Sequence, residues 1–194
     1  MAWWVDILRV IHVINAVLMA WPFYALVTVN QRIRLGPPLG DRVDRYMENI
    51  IKNRTIPCFV FQATALVTGL AIILLRGLGL RVLVTNPVLG AKLVLLLLIG
   101  GLLTYVHVSL QPRIDRLFAQ AGDAIPPEIA AQINALRLRR KRLASVCMFV
   151  VLVIVMLGVQ VYVPFPLWLT GLFIAAILLF TWRTYRSTVP YGWF

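Results

Sequence analysis

The chain has 194 residues, of which 61% are apolar and only 13% are charged, and its mean hydropathy is +0.86. Because an average soluble domain is about 25% charged, this composition excludes a water-soluble globule and predicts a protein embedded in a bilayer. The net charge of +12 would suggest a nucleic-acid partner in a soluble protein, but membrane topology accounts for it below, so we expect no nucleic acid.

Five stretches are apolar and long enough to approach the ~20 residues of helix that cross a membrane. They lie near residues 7–29, 56–75, 88–110, 144–163 and 166–182. We expect the first to be retained rather than cleaved as a signal peptide, because polar residues interrupt it and no basic leader precedes it. The sequence therefore predicts one all-α membrane domain over residues 1–194, a bundle of five transmembrane helices.

Local signals place several helix starts. Thr55, with Pro57 in the first turn, is a candidate N-cap for the second span, and Asn86 followed by Pro87 is a candidate for the third. Asp41 is a candidate cap for an amphipathic helix in the first of two polar connections. These connections cover residues 30–54 and 111–143, and both are expected to be partly helical.

The second connection carries a basic run just before the fourth span. Its members are Arg137, Arg139, Arg140, Lys141 and Arg142. We expect the helices of both connections to lie on the membrane surface, with this run facing anionic lipid at ~1 kcal/mol per basic residue. Membrane lipid is favoured as the partner of this run over nucleic acid or a protein tail.

Most basic residues fall on one side of the predicted bundle. The two connections and the tail residues Arg183 and Arg186 hold 15 of the 19 lysines and arginines. The other four are Arg9, Arg76, Arg81 and Lys92. By the positive-inside rule, the N-terminus is expected outside the cell and the C-terminus in the cytoplasm.

Ionisable groups inside a bilayer are costly, so each is a candidate functional residue. His12 in the first span and Lys92 in the third both lie in the outer half of the predicted topology. The two could face one another or share a carboxylate-bearing ligand. Alternatively, Lys92 extends to the headgroups and His12 bonds a backbone carbonyl or an asparagine.

The second histidine, His107, lies at a different depth. A rise of 1.5 Å per residue places it ~16 Å deeper than His12. One haem needs both axial ligands at nearly the same level, so the two histidines cannot share an iron. Cys58 and Cys147 lie within about one helical turn of the level of His107, and these three side chains are candidate ligands for zinc or copper. The alternative is that both cysteines are small buried apolar residues.

Several short segments in or next to the first three predicted spans resemble those of a bacterial superfamily of integral membrane proteins. It includes the copper-resistance D-type proteins, the membrane-bound protoporphyrinogen oxidases and a set of uncharacterised membrane proteins. The resemblance covers about residues 5–118 and rests on residues 8–12 (LRVIH), 66–70 (LVTGL), 89–93 (LGAKL), His107 and 111–113 (QPR). It implies the bacterial inner membrane.

In the protoporphyrinogen oxidases, a histidine in the first span and a lysine in the third are hallmark positions. They correspond to His12 and Lys92, so the resemblance implies a haem or porphyrin near this pair. The chain departs from that pattern at Gly90, where a histidine commonly stands two residues before the lysine. Its fifth span and its long connection 111–143 also differ.

Two functions follow as hypotheses. The first is a membrane subunit without catalysis of its own, packed in a larger energy-converting or redox complex or in a homo-oligomer. The second is a haem- or porphyrin-handling oxidoreductase that uses His12 and Lys92. Copper transport is a third option, for which Met19, Met148 and Met156 are present but not in paired motifs.

Overall fold

The computed structural model describes residues 3–36, 38, 41–52, 54–121 and 125–187. Within these residues, all regular structure is helical. The helices are α1 (Trp3–Val29), α2 (Arg42–Lys52), α3 (Thr55–Leu75), α4 (Val82–Thr85), α5 (Pro87–Tyr105), α6 (Gln111–Ala121), α7 (Pro127–Gln160) and α8 (Leu167–Arg186). A 3-10 turn, Asn30–Arg34, follows α1, and a π-helical turn, Val106–Leu110, joins α5 to α6.

Five helical stretches of the described chain are long and apolar enough to cross a membrane. They confirm the predicted all-α architecture, and the chain is a multi-pass membrane protein. The stretches are Trp3–Arg34, Arg42–Leu75, Pro87–Ala121, Pro127–Gln160 and Leu167–Arg186. Four of them exceed the predicted spans because the polar connections continue the helices, and α8 reaches 20 residues, enough to span.

The core lies between α1, α3, α5 and α7. Met19 and Phe23 of α1, Ile99 of α5 and Met148 and Val151 of α7 belong to one buried apolar cluster. Helix α8 lies at the edge of the bundle, and Thr181 is its one buried residue among those described. Its outward apolar side chains are suited to lipid.

The C-terminal end of α8 is attached to the rest of the bundle by polar contacts. The last carbonyls of a helix lack partners within it. Gln31 Nε2 donates to the Thr184 carbonyl at 2.6 Å, and the Arg34 guanidinium donates to the Arg186 carbonyl. Gln31 and Arg34, which follow α1, therefore donate hydrogen bonds to carbonyl groups at the end of α8 that have no partner within that helix.

Two of the three predicted caps are present. Asn86 Oδ1 accepts from the backbone N–H groups of Val88 at 3.0 Å and Leu89 at 3.2 Å, and Asp41 Oδ1 accepts from Asp44 N at 2.7 Å. The expectation for Thr55 is wrong. Arg54 precedes α3 in helical conformation without a side-chain cap, and the Thr55 hydroxyl donates to the Lys52 carbonyl at 3.3 Å.

The basic run differs from its expected placement. Arg137, Arg140 and Lys141 are only 2%, 1% and 1% exposed, so these three do not face lipid, whereas Arg139 and Arg142 are exposed. The reason is that α2 places two carboxylates against this face of α7. Burial of a charge is tolerated when it is paired and hydrogen-bonded.

We call this group of buried ionic side chains the charge network. Arg137 Nη2 donates to Asp44 Oδ2 at 3.0 Å, and Arg32 Nη2 donates to Glu48 Oε2 at 2.5 Å. Arg140 binds Glu48 as well, and it donates to Gln111 Oε1 at 2.6 Å. The network joins α2, α6 and α7 to the turn after α1 at one end of the bundle.

Candidate functional site

A cavity of about 310 Å³ lies at the end of the bundle opposite the charge network. Helices α1, α3, α5 and α7 form its walls, with Leu78 and Leu83 from the α3–α5 connection. Its volume is at the small end of the range for ligand pockets. Most of the lining is aliphatic, and its polar side chains are His12, Arg76, Lys92 and Tyr162.

His12 is held by a hydrogen bond to α3. Its Nδ1 lies 2.7 Å from Thr68 Oγ1, and the Thr68 hydroxyl donates to the Thr64 carbonyl at 2.6 Å. A hydroxyl has one proton, so when Thr68 donates to Thr64 it accepts from His12, and in that tautomer Nδ1 carries the hydrogen. In neutral imidazole the Nε2 lone pair is then left to bind a ligand or a metal.

This contact differs from both partners expected for His12. The nearby amide of Asn15 donates instead to the Phe61 carbonyl at 2.8 Å. The two bonds fix α1 against α3 on either side of one turn, with Asn15 itself buried. The first span is therefore anchored to the second by polar groups on the face that carries His12.

Two glycines leave room for the polar side chains of the cavity. A Cβ on Gly69 would lie 3.3 Å from His12 Cε1. A Cβ on Gly158 would lie 3.3 Å from Lys92 Nζ. The imidazole and the ammonium group thus each lie against a glycine of a neighbouring helix.

Lys92 and Arg76 make the cavity cationic. Among the described residues, Lys92 Nζ has no hydrogen-bond acceptor and no carboxylate partner, and the described lining contains no acidic side chain. The Arg76 guanidinium lies 5.7 Å from the centre of the Tyr162 ring, and its Nε is buried without a hydrogen-bond partner in the described part of the chain.

The structure brings His12 and Lys92 to one cavity, which is the first of the two alternatives that their similar depth left open. Arg76, Tyr162 and the close fit of Gly69 and Gly158 to the polar side chains were not among the predicted site features, because they depend on which helix faces meet.

His107 lies far from this cavity. Its Nδ1 is 3.0 Å from Thr55 Oγ1, and its ring packs edge-on against Phe59 at 5.8 Å. Thirteen residues of α3 separate Thr55 from Thr68, or about 20 Å of helix. The two histidines are held at opposite ends of α3 and cannot ligate the same iron.

The proposed metal ligands do not assemble. Among the described residues, no group of three His, Cys, Asp or Glu side chains is placed to hold a metal, which corrects the expectation for Cys58, His107 and Cys147. Both cysteines are buried in the apolar core, whereas the imidazole of His107 is bonded to Thr55 and exposed. The two cysteines lie in one buried cluster, but His107 does not complete a metal site with them.

No protein-family model, curated protein or solved structure matches the chain. The helices and the cavity themselves therefore define its class, a multi-pass helical membrane protein with an apolar, cationic cavity in the bundle.

Proposed function

We propose that the protein binds a haem or a related porphyrin in this cavity, with His12 as the axial ligand. The proposal rests on the resemblance of residues 5–118 to the superfamily named above and on the chemistry of the cavity. His12 and Lys92, the two positions that the resemblance singles out, both line it. Its aliphatic walls suit a flat apolar macrocycle.

One observation carries the proposal. His12 Nδ1 lies 2.7 Å from the Thr68 hydroxyl, which also lies 2.6 Å from the Thr64 carbonyl, so the tautomer with hydrogen on Nδ1 donates to Thr68. Metal-binding histidines almost always donate their second ring N–H to a carboxylate, a backbone carbonyl or water, which fixes the tautomer and the ring orientation, and we assign this acceptor role to the Thr68 hydroxyl. The donor set therefore fits haem iron at Nε2, and a bound haem would supply one-electron chemistry.

The membrane topology belongs to the same proposal. The basic connections lie at the end of the bundle that carries the charge network, and we assign this end to the cytoplasm of a bacterial inner membrane. The positive-inside rule counts lysines and arginines rather than net charge, so the pairing of Arg137 and Arg140 with acids does not change the assigned orientation. The cavity then lies in the outer half of the membrane.

Membership of a larger complex remains a separate hypothesis. A subunit without catalysis of its own can still bind haem, so the two ideas are compatible. Extraction in a mild detergent followed by identification of co-purifying chains tests for partners. A chain that purifies alone as a monomer would contradict the subunit hypothesis and leave haem binding untouched.

Haem titration of the purified chain tests the proposed function. We expect a Soret band that saturates with added haem, and its loss in His12→Ala. His107→Ala is the matched control, since it removes the other histidine about 20 Å away along α3. Monodisperse elution of both variants shows that they fold. Absence of a Soret band in the wild-type protein, or equal loss in both variants, would contradict the proposal.

A further inference from the structure

The cavity contains two cationic side chains, and the acid that would balance them is missing from its described lining. Lys92 and Arg76 both line it, together with the neutral ring of Tyr162 and mostly aliphatic side chains. A charge in an apolar site is costly unless a group of opposite charge or a hydrogen-bond acceptor meets it. The composition of the cavity thus favours an anionic ligand.

The buried cations at the opposite end of the bundle have hydrogen-bond acceptors within the protein. Arg137 donates to Asp44 at 3.0 Å, Arg140 binds Glu48, and Lys141 donates to Gln31 Oε1 at 2.6 Å. Each has an acceptor within the protein. Among the described residues, the half-buried ammonium of Lys92 has none, so its acceptor is expected from outside the chain.

Each of the two cations lies against a residue in or just after the last turn of α7. Lys92 Nζ lies against Gly158, and the Arg76 guanidinium lies over the ring of Tyr162. Gly158 lies in the last turn of α7, and Tyr162 lies in the turn that follows its last residue, Gln160. Both cations therefore line the cavity at the same end of α7, where a ligand with one or two acid groups meets them.

We infer that Lys92 and Arg76 form a subsite for the carboxylate of a hydrophobic ligand whose apolar body occupies the rest of the cavity. A porphyrin propionate and the carboxylate of a fatty acid share this chemistry. If the carboxylate is a porphyrin propionate, the inference rests on the proposed function and names the group that holds the porphyrin's acid. If it belongs to a fatty acid, the inference does not depend on haem binding.

The experiment compares acids with their esters. The full chain in detergent is titrated with haem and haem dimethyl ester, and separately with a fluorescent fatty acid and its methyl ester. The proteins are wild type, Lys92→Met, Arg76→Gln, the double variant and Lys92→Arg, with Arg81→Gln as control. Arg81 is an exposed cation near the same end of the bundle, and it is not part of the lining.

We expect the wild type to bind at least one acid about tenfold more tightly than its ester, as a charge-assisted hydrogen bond would provide. Each neutralising substitution should reduce this preference and the double variant should abolish it, whereas Lys92→Arg and Arg81→Gln should retain it. A preference confined to haem identifies a propionate, and one confined to the fatty acid identifies an acyl carboxylate. Both results support the subsite.

Equal binding of acid and ester by the wild type, or a preference that survives in the double variant, would overturn the inference. Failure of haem to bind in any form would contradict the proposed function alone, because the fatty-acid pair still tests the subsite. Elution profiles of the variants and the charge-conserving Lys92→Arg separate loss of the subsite from loss of folding.

Discussion

Arg140 of α7 donates to the carboxylate of Glu48 of α2, although 92 residues separate them in the chain. Both side chains are buried, at 1% and 6% exposure. The same carboxylate accepts from Arg32 at 2.5 Å and from Arg137 at 3.2 Å. Glu48 is therefore the centre of the charge network and holds three cations together at one end of the bundle.

Neutralisation of Glu48 should destabilise the protein strongly. In Glu48→Gln three buried guanidinium groups lose their shared carboxylate, and removing one partner of a buried ion pair typically costs about 3–5 kcal/mol. Unfolding in a denaturing-detergent titration measures the loss. The matched control, Glu128→Gln, changes an exposed acid in the first turn of α7 and should shift stability by less than about 0.5 kcal/mol. Similar losses in both variants would show that the network adds little.

The charge network should also be sensitive to acid. Burial alone would raise the pKa of Glu48, but Arg140, Arg137 and Arg32 outweigh it and lower the pKa from 4.5 to about 2. A depressed pKa in the folded state means that the stabilisation is complete above about pH 4.5. It is then lost as the pH falls towards 2, amounting to about 3 kcal/mol at ~1.4 kcal/mol per unit.

Stability measured between pH 7 and pH 2 tests this dependence. The wild type should lose stability below about pH 4.5, and Glu48→Gln should lack that part of the acid response. Parallel curves for the two proteins across this range would show that Glu48 does not titrate as described.

Removal of the Thr68 hydroxyl should weaken haem binding, although the proposed axial ligand, His12, is unchanged. In Thr68→Val the His12 Nδ1–H loses its acceptor, and loss of such a partner typically costs 10–100-fold in metal affinity. Haem titration measures the change. Thr64→Val, one turn earlier on α3, removes a hydroxyl but leaves the backbone carbonyl to which Thr68 donates, so it should bind as the wild type does. Equal affinity in all three proteins would contradict the role given to Thr68.

Gly90 should not tolerate a side chain. A Cβ at this position would lie 2.7 Å from the Leu83 carbonyl oxygen, so alanine forces the connection between α3 and α5 away from α5. Gly90→Ala should lower the thermal midpoint. Gly101→Ala is the control, because nothing lies within 4 Å of a Cβ there and alanine favours helix by up to about 1 kcal/mol. The prediction fails if Gly90→Ala is as stable as Gly101→Ala.

The same contact gives a structural reason for the departure at Gly90. The superfamily resemblance leads one to expect a histidine two residues before Lys92. Here the backbone of Leu83 fills the space in which that side chain would begin. His12 is the only histidine in the described lining of the cavity, so the proposed ligation by histidine rests on it.

Features that depend on neighbouring residues in the chain could be predicted from the sequence. The spans, the Asn86 cap and the helix after Asp41 could be found because hydropathy, capping and periodicity involve neighbours in the chain. The similar depth of His12 and Lys92 was also foreseeable, since helical rise fixes depth. Which faces meet is not a local property. Glu48 pairs with Arg140 from 92 residues away, and such pairing buries part of a basic run that was expected to face lipid.

Replacement of the proposed axial ligand tests the central claim most directly. In His12→Cys a thiolate would take the place of imidazole on the iron, so we predict that the haem-loaded variant shows a Soret band shifted from that of the wild type to a thiolate-ligated position. His107→Cys should leave the band unchanged. A wild-type spectrum retained in His12→Cys would show that His12 does not bind the iron and would contradict the account.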